Sequence, residues 1–159
     1  MDDLARLVAV EEIKKLKARY FRGVDGKDPA LLETVFTEDV VLDARGSTTD
    51  PDSGANAVPE GTAEPLRGRG RVIEMVQKVL AGATTVHQGQ MPEIDITSDT
   101  TATGIWSFFD LLRFPPGAPV SELAGYGHYH ETYVRIDRAW RIKTIRITRL
   151  RVDATVAES

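Results

Sequence analysis

The sequence contains no cysteine and only three histidines among its 159 residues. A disulfide framework, a thiolate zinc site and a cysteine nucleophile are therefore excluded, and a histidine-rich metal site is not expected. No apolar run approaches the roughly 20 residues that a membrane-spanning helix needs. The first residues, Met1–Leu4, are acidic and lack the apolar stretch of a signal peptide, which predicts a cytoplasmic location.

Neither sign of charge dominates the composition. The 20 Lys and Arg residues and 24 Asp and Glu residues give a formal net charge of -4, which excludes a generally basic nucleic-acid binder. Hydrophobic residues make up 42% and charged residues 28%, a mixture typical of a globular domain and not of a disordered chain. The length suits one domain, so we expect residues 1–159 to form a single domain.

Helical patterns occupy the first half of the chain. A first helix is predicted over 4–24, and a second begins with Asp28 as its cap and Pro29 at its first position. A third helix is expected over 71–80, and the proline- and glycine-rich stretch 44–66 is typical of a long loop, mobile or draped over the surface. The apolar positions of the first helix, which recur mostly at steps of three and four residues, are Leu4, Leu7, Val8, Ile13, Leu16, Tyr20 and Val24.

The second half of the chain is predicted to be mostly strand, which after helices indicates an α+β fold. The alternation over 125–136 places Tyr129 and Glu131 on one face and His128 and His130 on the other. Both faces mix polar and apolar residues, so we expect helices to cover one face and a second subunit to cover the other. The predicted strands are 40–42, 84–88, 94–96, 101–112, 125–136 and 140–152.

Two polar residues allow both a structural and a chemical interpretation. Asp25 ends the first helix, where the helix dipole disfavours an anion. It is either a solvated turn residue or a carboxylate kept there to orient a histidine. His87 follows the third helix on a predicted strand, and a lone histidine of this kind is more often structural than catalytic.

Two further groups of side chains carry weaker signals. His128 and His130 share a strand face and could bind a metal, but no third ligand is evident, which favours a place at a subunit interface. Arg149 shares the parity of Ile145 and Ile147, so it can point inward, where a guanidinium could hold an oxyanion or a carboxylate.

Several segments together resemble a known family. Phe36–Val40 after two helices, and Gly127–Arg135 leading to Trp140–Ile142, resemble the SnoaL-like branch of the nuclear transport factor 2-like superfamily. The likeness is nearest to its scytalone dehydratase and bile-acid 7α-dehydratase group. It covers nearly the whole chain and implies a cone-shaped α+β fold, in which a curved mixed sheet wraps a pocket closed by helices. Enzymes, binding modules and assembly domains all use this fold.

The resemblance also implies a catalytic site. Enzymes of that group use an Asp–His dyad, and Asp25 and His87 match its two places, while Tyr20 and Arg149 match a pocket tyrosine and arginine. Neutral His87 would remove a proton from carbon, and Asp25 would fix its tautomer, without a metal or an organic cofactor. The expected wall of the substrate pocket comprises Val24, Val41, Ile73, Val76, Trp106, Phe108, Tyr129, Glu131, Ile145 and Ile147.

Three classes of function remain open at this stage. The first is a lyase, most simply a dehydratase acting on a small hydrophobic ring compound; a ketosteroid-isomerase-like enzyme is a near neighbour that would use Glu131 as an inward carboxylate. The second is a non-catalytic module that binds a hydrophobic ligand in the same pocket. The third is an assembly domain. The resemblance implies a homodimer or homotrimer in each case. The net charge and the lack of a long apolar run predict no nucleic-acid or membrane partner.

Overall fold

Three helices and a six-stranded sheet make up the part of the chain that the computed structural model describes, residues 2–57 and 64–156. This architecture confirms the α+β class. The elements are α1 (Asp3–Asp25), α2 (Pro29–Val35), β1 (Phe36–Asp43), β2 (Leu66–Arg67), α3 (Arg69–Val79), β3 (Thr84–Ile96), β4 (Thr101–Arg113), β5 (Val120–Ile136) and β6 (Ala139–Val156).

The sheet is mixed, curved and unclosed, with the strand order β2-β1-β6-β5-β4-β3. Strand β1 runs parallel to β6, and the other neighbours are antiparallel. Register shifts interrupt the β5–β6 ladder between Tyr126 and Gly127 and again between Thr132 and Tyr133. Such bulges bend a strand and increase its twist, so they help to curve the sheet toward the helices.

Side-chain caps fix the beginnings of the first two helices. The carboxylate of Asp2 accepts the Ala5 N–H at 2.7 Å, and that of Asp28 accepts the Leu31 N–H at 3.0 Å, with Pro29 beginning α2 as predicted. Each cap satisfies a backbone donor that the helix itself cannot. Together with α3, these helices cover one face of the sheet, and none of the described helices is long and apolar enough to cross a membrane.

The predicted apolar stripe of α1 is wrong in its first two turns. Leu4, Leu7 and Val8 are 72%, 66% and 49% exposed, and burial begins at Ala9. The physical reason is helical spacing. Leu4, Leu7 and Val8 share a helix face with exposed Glu11, whereas buried Ile13 lies on a different face.

Strands are longer than the sequence patterns predicted. Strand β1 begins at Phe36, four residues before the predicted strand 40–42, and the two short segments 84–88 and 94–96 join into β3 through a register shift between Gln90 and Glu93. Ladder hydrogen bonds from the neighbouring strands maintain these irregular stretches, which alternation in one strand cannot reveal.

The predicted loop over 44–66 is partly fixed to the sheet. Within it the carboxylate of Asp50 accepts the Ser53 N–H at 2.9 Å and, with its other oxygen, the Val152 N–H of β6 at 3.1 Å. Thr49 and Asn56 form an isolated bridge. Residues 58–63 lie outside the described residues, so the expectation of mobility is untested there. Leu66, the last residue of the predicted loop, already pairs with β1.

Candidate active site

A cavity of about 360 Å³ lies between helices α1 and α3, the described loop and the sheet. Its wall is mostly apolar, and three side chains with ionisable acidic or basic groups contribute to it, namely His87, Asp110 and Arg149, within the described residues. Tyr20 and Tyr129 add two phenol groups. The cavity therefore combines an apolar volume with a small polar cluster, as small-molecule sites usually do.

Asp25 and His87 form a close pair beside this cavity. Oδ1 of Asp25 lies 2.6 Å from Nδ1 of His87, and Oδ2 accepts the His87 backbone N–H at 3.0 Å. The hydroxyl of Thr85 donates to Oδ1 at 2.9 Å. Three donors thus surround a carboxylate that ends α1, and they offset the unfavourable helix dipole at that position.

The protonation of Asp25 determines the tautomer of His87. Burial raises the pKa of Asp25, but the hydrogen bonds from His87 and Thr85 outweigh it and hold this pKa below its usual value. An ionised carboxylate can only accept hydrogen bonds, so Nδ1 of His87 carries the donated proton. In the neutral ring, Nε2 is then the basic nitrogen, on the opposite edge from Asp25.

A second carboxylate, missed by the sequence analysis, lies on the other side of His87. Oδ2 of Asp110 is 3.9 Å from His87 Nε2. The same carboxylate accepts two hydrogen bonds from Arg149, Nη1 to Oδ1 at 2.7 Å and Nη2 to Oδ2 at 2.8 Å. Asp25, His87, Asp110 and Arg149 therefore form one continuous polar cluster.

The structure changes the expectation for Arg149. Its side chain does point inward and is 6% exposed, but both terminal nitrogens are directed to Asp110 and its Nε donates to the Ser47 carbonyl at 2.6 Å. The guanidinium carbon also lies 4.9 Å from the centre of the Phe108 ring. The inward carboxylate of Asp110 thus takes the place that sequence analysis left for a substrate oxyanion.

A glycine makes room for the Asp110–Arg149 pair. Gly125 of β5 lies opposite Asp110 of β4. A Cβ at this position would stand 2.2 Å from Asp110 Oδ1 and 2.3 Å from Arg149 Nη1. Residues larger than glycine would therefore collide with the pair itself.

Tyr20 and Tyr129 lie next to each other in the cavity wall. Their rings meet edge to face, with centroids 5.8 Å apart. Burial raises the pKa of both phenols, so both stay protonated at neutral pH and can donate a hydrogen bond.

The expected pocket wall is assembled only in part. Trp106, Phe108 and Glu131 are not part of the cavity lining: Trp106 Nε1 donates to the Tyr133 hydroxyl at 2.8 Å, and the ring centroids of Phe108 and Tyr129 are 4.1 Å apart with the rings tilted by 36°. Val41 and Ile73 also lie off the described wall. The expected residues that do line it are Val24, Val76, Tyr129, Ile145 and Ile147.

Glu131 instead pairs with Lys17 in the interior. Both side chains are 0% exposed, and the Tyr133 hydroxyl donates to Glu131 as well. The Lys17 ammonium lies 3.5 Å from the centre of the Tyr129 ring. Burial lowers the pKa of Lys17 to about 8, although Glu131 opposes this. Sequence analysis missed Lys17, which follows Ile13 and Leu16 on the buried stripe of α1.

His128 and His130 occupy the other face of β5 and are half-buried. Their ring centroids are 6.3 Å apart, and His130 Nε2 lies 3.0 Å from the Thr148 hydroxyl. Across residues 2–57 and 64–156, no three side chains of His, Cys, Asp or Glu are grouped as metal ligands.

Comparison with known proteins identifies the fold. The sequence profile of the SnoaL-like domain matches residues 5–146. A type 2 hexachlorocyclohexane dehydrochlorinase superposes with a TM-score of 0.76 at 19% identity, covering 99% of this chain and 95% of that one. A candidate scytalone dehydratase from Novosphingobium aromaticivorans superposes with a TM-score of 0.75 at 19% identity, covering 98% of this chain and 93% of that one. A nuclear transport factor 2-like superfamily protein from Salmonella enterica superposes with a TM-score of 0.67 at 15% identity, covering 87% of this chain and 89% of that one. The fold implied by the sequence resemblance is confirmed.

Proposed function

The chain belongs to the SnoaL-like domain family, and from this premise we propose that it is a cofactor-independent lyase, dehydratase-like, acting on a small hydrophobic ring compound. One observation carries the proposal. The 2.6 Å contact between Asp25 and His87 Nδ1 leaves the second ring nitrogen of His87 on the side of an apolar cavity. A histidine held in this way is suited to remove a proton from a substrate.

In the proposed reaction, His87 Nε2 takes a proton from a carbon of the substrate. The electron pair of the broken C–H bond forms a C=C bond to the neighbouring carbon, whose hydroxyl departs. Asp25 accepts the Nδ1–H throughout and stabilises the imidazolium that results. The imidazolium then returns its proton to the departing hydroxyl, so that water leaves and His87 is neutral again.

Tyr20 is proposed to assist the departing group. It lines the cavity with a protonated phenol, which can donate a hydrogen bond to a hydroxyl or a carbonyl oxygen. Arg149 donates hydrogen bonds to Asp110 and to the backbone carbonyl of Ser47 in the loop. We therefore propose that it positions the cavity wall and does not contact the substrate directly.

The structural neighbours support an elimination. Two of them are named for such reactions, a dehydrochlorinase and a candidate dehydratase. An isomerase with Glu131 as its base is less well supported, because that carboxylate is fully buried against Lys17 and Tyr133.

We also propose, from the sequence, that the protein is a homodimer or homotrimer in the cytoplasm. Size-exclusion chromatography with light scattering would test the oligomeric state, and cell fractionation would test the location.

The test compares wild type with His87→Gln and with His128→Gln as the matched control. His128 lies on the opposite face of β5, so its loss leaves the cavity intact. Each protein is incubated in deuterated water with hydroxylated polycyclic and aromatic ketones, and loss of water and deuterium uptake at carbon are followed by NMR and mass spectrometry.

We expect turnover by wild type and His128→Gln, with a rate roughly 10²–10⁴-fold lower in folded His87→Gln, the usual contribution of a positioned acid–base group. Saturable binding by all three proteins with neither water loss nor exchange would instead favour a binding module. Equal rates in His87→Gln and wild type would refute the assigned role of His87.

A further inference from the structure

We propose that Asp110 determines substrate specificity by occupying Arg149, so that the cavity accepts uncharged ligands and rejects carboxylates and other anions. The inference rests on the proposed function only in taking this cavity as the substrate site. The sequence alone predicted that Arg149 could bind an anion, whereas in the structure its partner is Asp110.

Three of the five N–H donors of Arg149 are bonded within the protein. Asp110 receives hydrogen bonds of 2.7 and 2.8 Å from the two terminal nitrogens, which is the fork geometry that a guanidinium makes with a ligand carboxylate. The remaining nitrogen, Nε, is bonded to the Ser47 carbonyl at 2.6 Å. Asp110 therefore acts as an internal substitute for an anionic ligand.

Burial makes this pair difficult to displace. Both side chains are 6% exposed, and Phe108 packs against the guanidinium at 4.9 Å. An entering carboxylate would have to separate a buried ion pair and leave Asp110 as an unpaired buried charge, which is costly. Gly125 supports the same interpretation, because only a residue without a side chain leaves room for the two groups.

The charges around the cavity do not favour an anion either. Asp110 and Arg149 cancel each other, and ionised Asp25 lies directly behind His87. A ligand carboxylate beside His87 would thus find no unpaired arginine or lysine among the described residues that line the cavity, and the Asp25 carboxylate lies on the far side of the ring.

Isosteric ligand pairs test this without any need for turnover. The probes are the amides and carboxylates of benzene, naphthalene and biphenyl, for example 2-naphthamide and 2-naphthoate, measured by isothermal titration calorimetry at pH 7.5. The proteins are wild type, Asp110→Asn, and Asp110→Asn combined with Arg149→Met, each checked for folding by circular dichroism.

Wild type should bind the best amide at least tenfold more tightly than its carboxylate. Asp110→Asn should bind that carboxylate at least tenfold more tightly than wild type does, so that the preference for the amide is reduced or inverted. The double variant should lose this gain, because the freed guanidinium is gone. Should Asp110→Asn not fold, the absence of an amide preference in wild type would still overturn the inference.

Two results would overturn the inference: no ligand pair for which wild type prefers the amide, or a folded Asp110→Asn with no gain in carboxylate affinity. The outcome is separable from that of the proposed function. Amide preference without turnover on the ketone panel would retain the specificity role of Asp110 and reject the lyase, whereas turnover with carboxylate preference would do the reverse.

Discussion

Two buried charge clusters, one joining helix α1 to the sheet and one within the sheet, differ in what they face. Lys17 and Glu131 are fully buried and satisfied by each other and by Tyr133, behind the ring of Tyr129. Asp110 and Arg149 are nearly as buried, but they line the cavity and continue to His87. Burial of charge alone therefore does not mark a functional site. The distinguishing feature is a basic nitrogen, His87 Nε2, on the cavity side of the cluster.

The largest expected effect is on the cluster behind Tyr129. Lys17→Met leaves Glu131 as an uncompensated buried carboxylate and should lower the free energy of unfolding at pH 7 by about 3–5 kcal/mol. Urea denaturation followed by circular dichroism measures this change. The double variant Lys17→Met with Glu131→Gln removes both charges and should recover most of the loss. A loss below about 1 kcal/mol in the single variant would contradict the assignment of a tightly coupled structural pair.

A smaller effect is expected when the cavity cluster is crowded. Gly125→Ala places a Cβ 2.2 Å from Asp110 Oδ1, and overpacking of this kind costs about 1–3 kcal/mol of stability. Gly70→Ala is the matched control, since a Cβ there would have no neighbour within 4 Å. Thermal unfolding of both variants measures the difference. Equal melting temperatures for the two would show that the Asp110–Arg149 pair can move aside freely.

The pH dependence of stability separates the clusters further. The pKa of Lys17 is about 8 in the folded protein and 10.5 for an ordinary lysine, so between these values the unfolded chain holds a proton that the folded chain has released. Stability then rises with pH. Relative to the Lys17→Met, Glu131→Gln variant, wild type should gain about 1 kcal/mol between pH 8 and 9. Urea titrations at each pH measure this difference, and a constant difference would contradict a depressed Lys17 pKa.

The predictable and unpredictable parts of the site have different physical origins. Asp25 and His87 were identified because a family resemblance supplied their places at a helix end and on the strand after α3. The position of Asp110 in the sequence also indicates its role. It lies on the same strand face as Trp106 and Phe108, which are both buried, and an acidic residue on such a face needs a partner. Its partner Arg149 is 39 residues away, and strand pairing alone brings the two together.

The fold was predictable to the extent that local signals decide it. Asp28 and Pro29 set the start of α2 through hydrogen bonds within one turn. By contrast, the continuity of β3 through Gln90–Glu93 depends on the β4 ladder, and the burial of Lys17 depends on Glu131, 114 residues away. The apolar periodicity of a single segment does not predict such long-range pairings.

The ring proton of His87 tests the central claim most directly. The account requires that Asp25 hold the proton on Nδ1 and leave Nε2 as the base. Nitrogen-15 NMR of the histidine side chains, recorded at a pH where the rings are neutral, distinguishes the two tautomers, with Asp25→Asn as the comparison. We predict an Nδ1–H tautomer for His87 in wild type, with a ring proton strongly shifted downfield by the 2.6 Å contact, and loss of that shifted proton in Asp25→Asn. An Nε2–H tautomer in wild type would contradict the account, because His87 would then have no basic nitrogen facing the cavity.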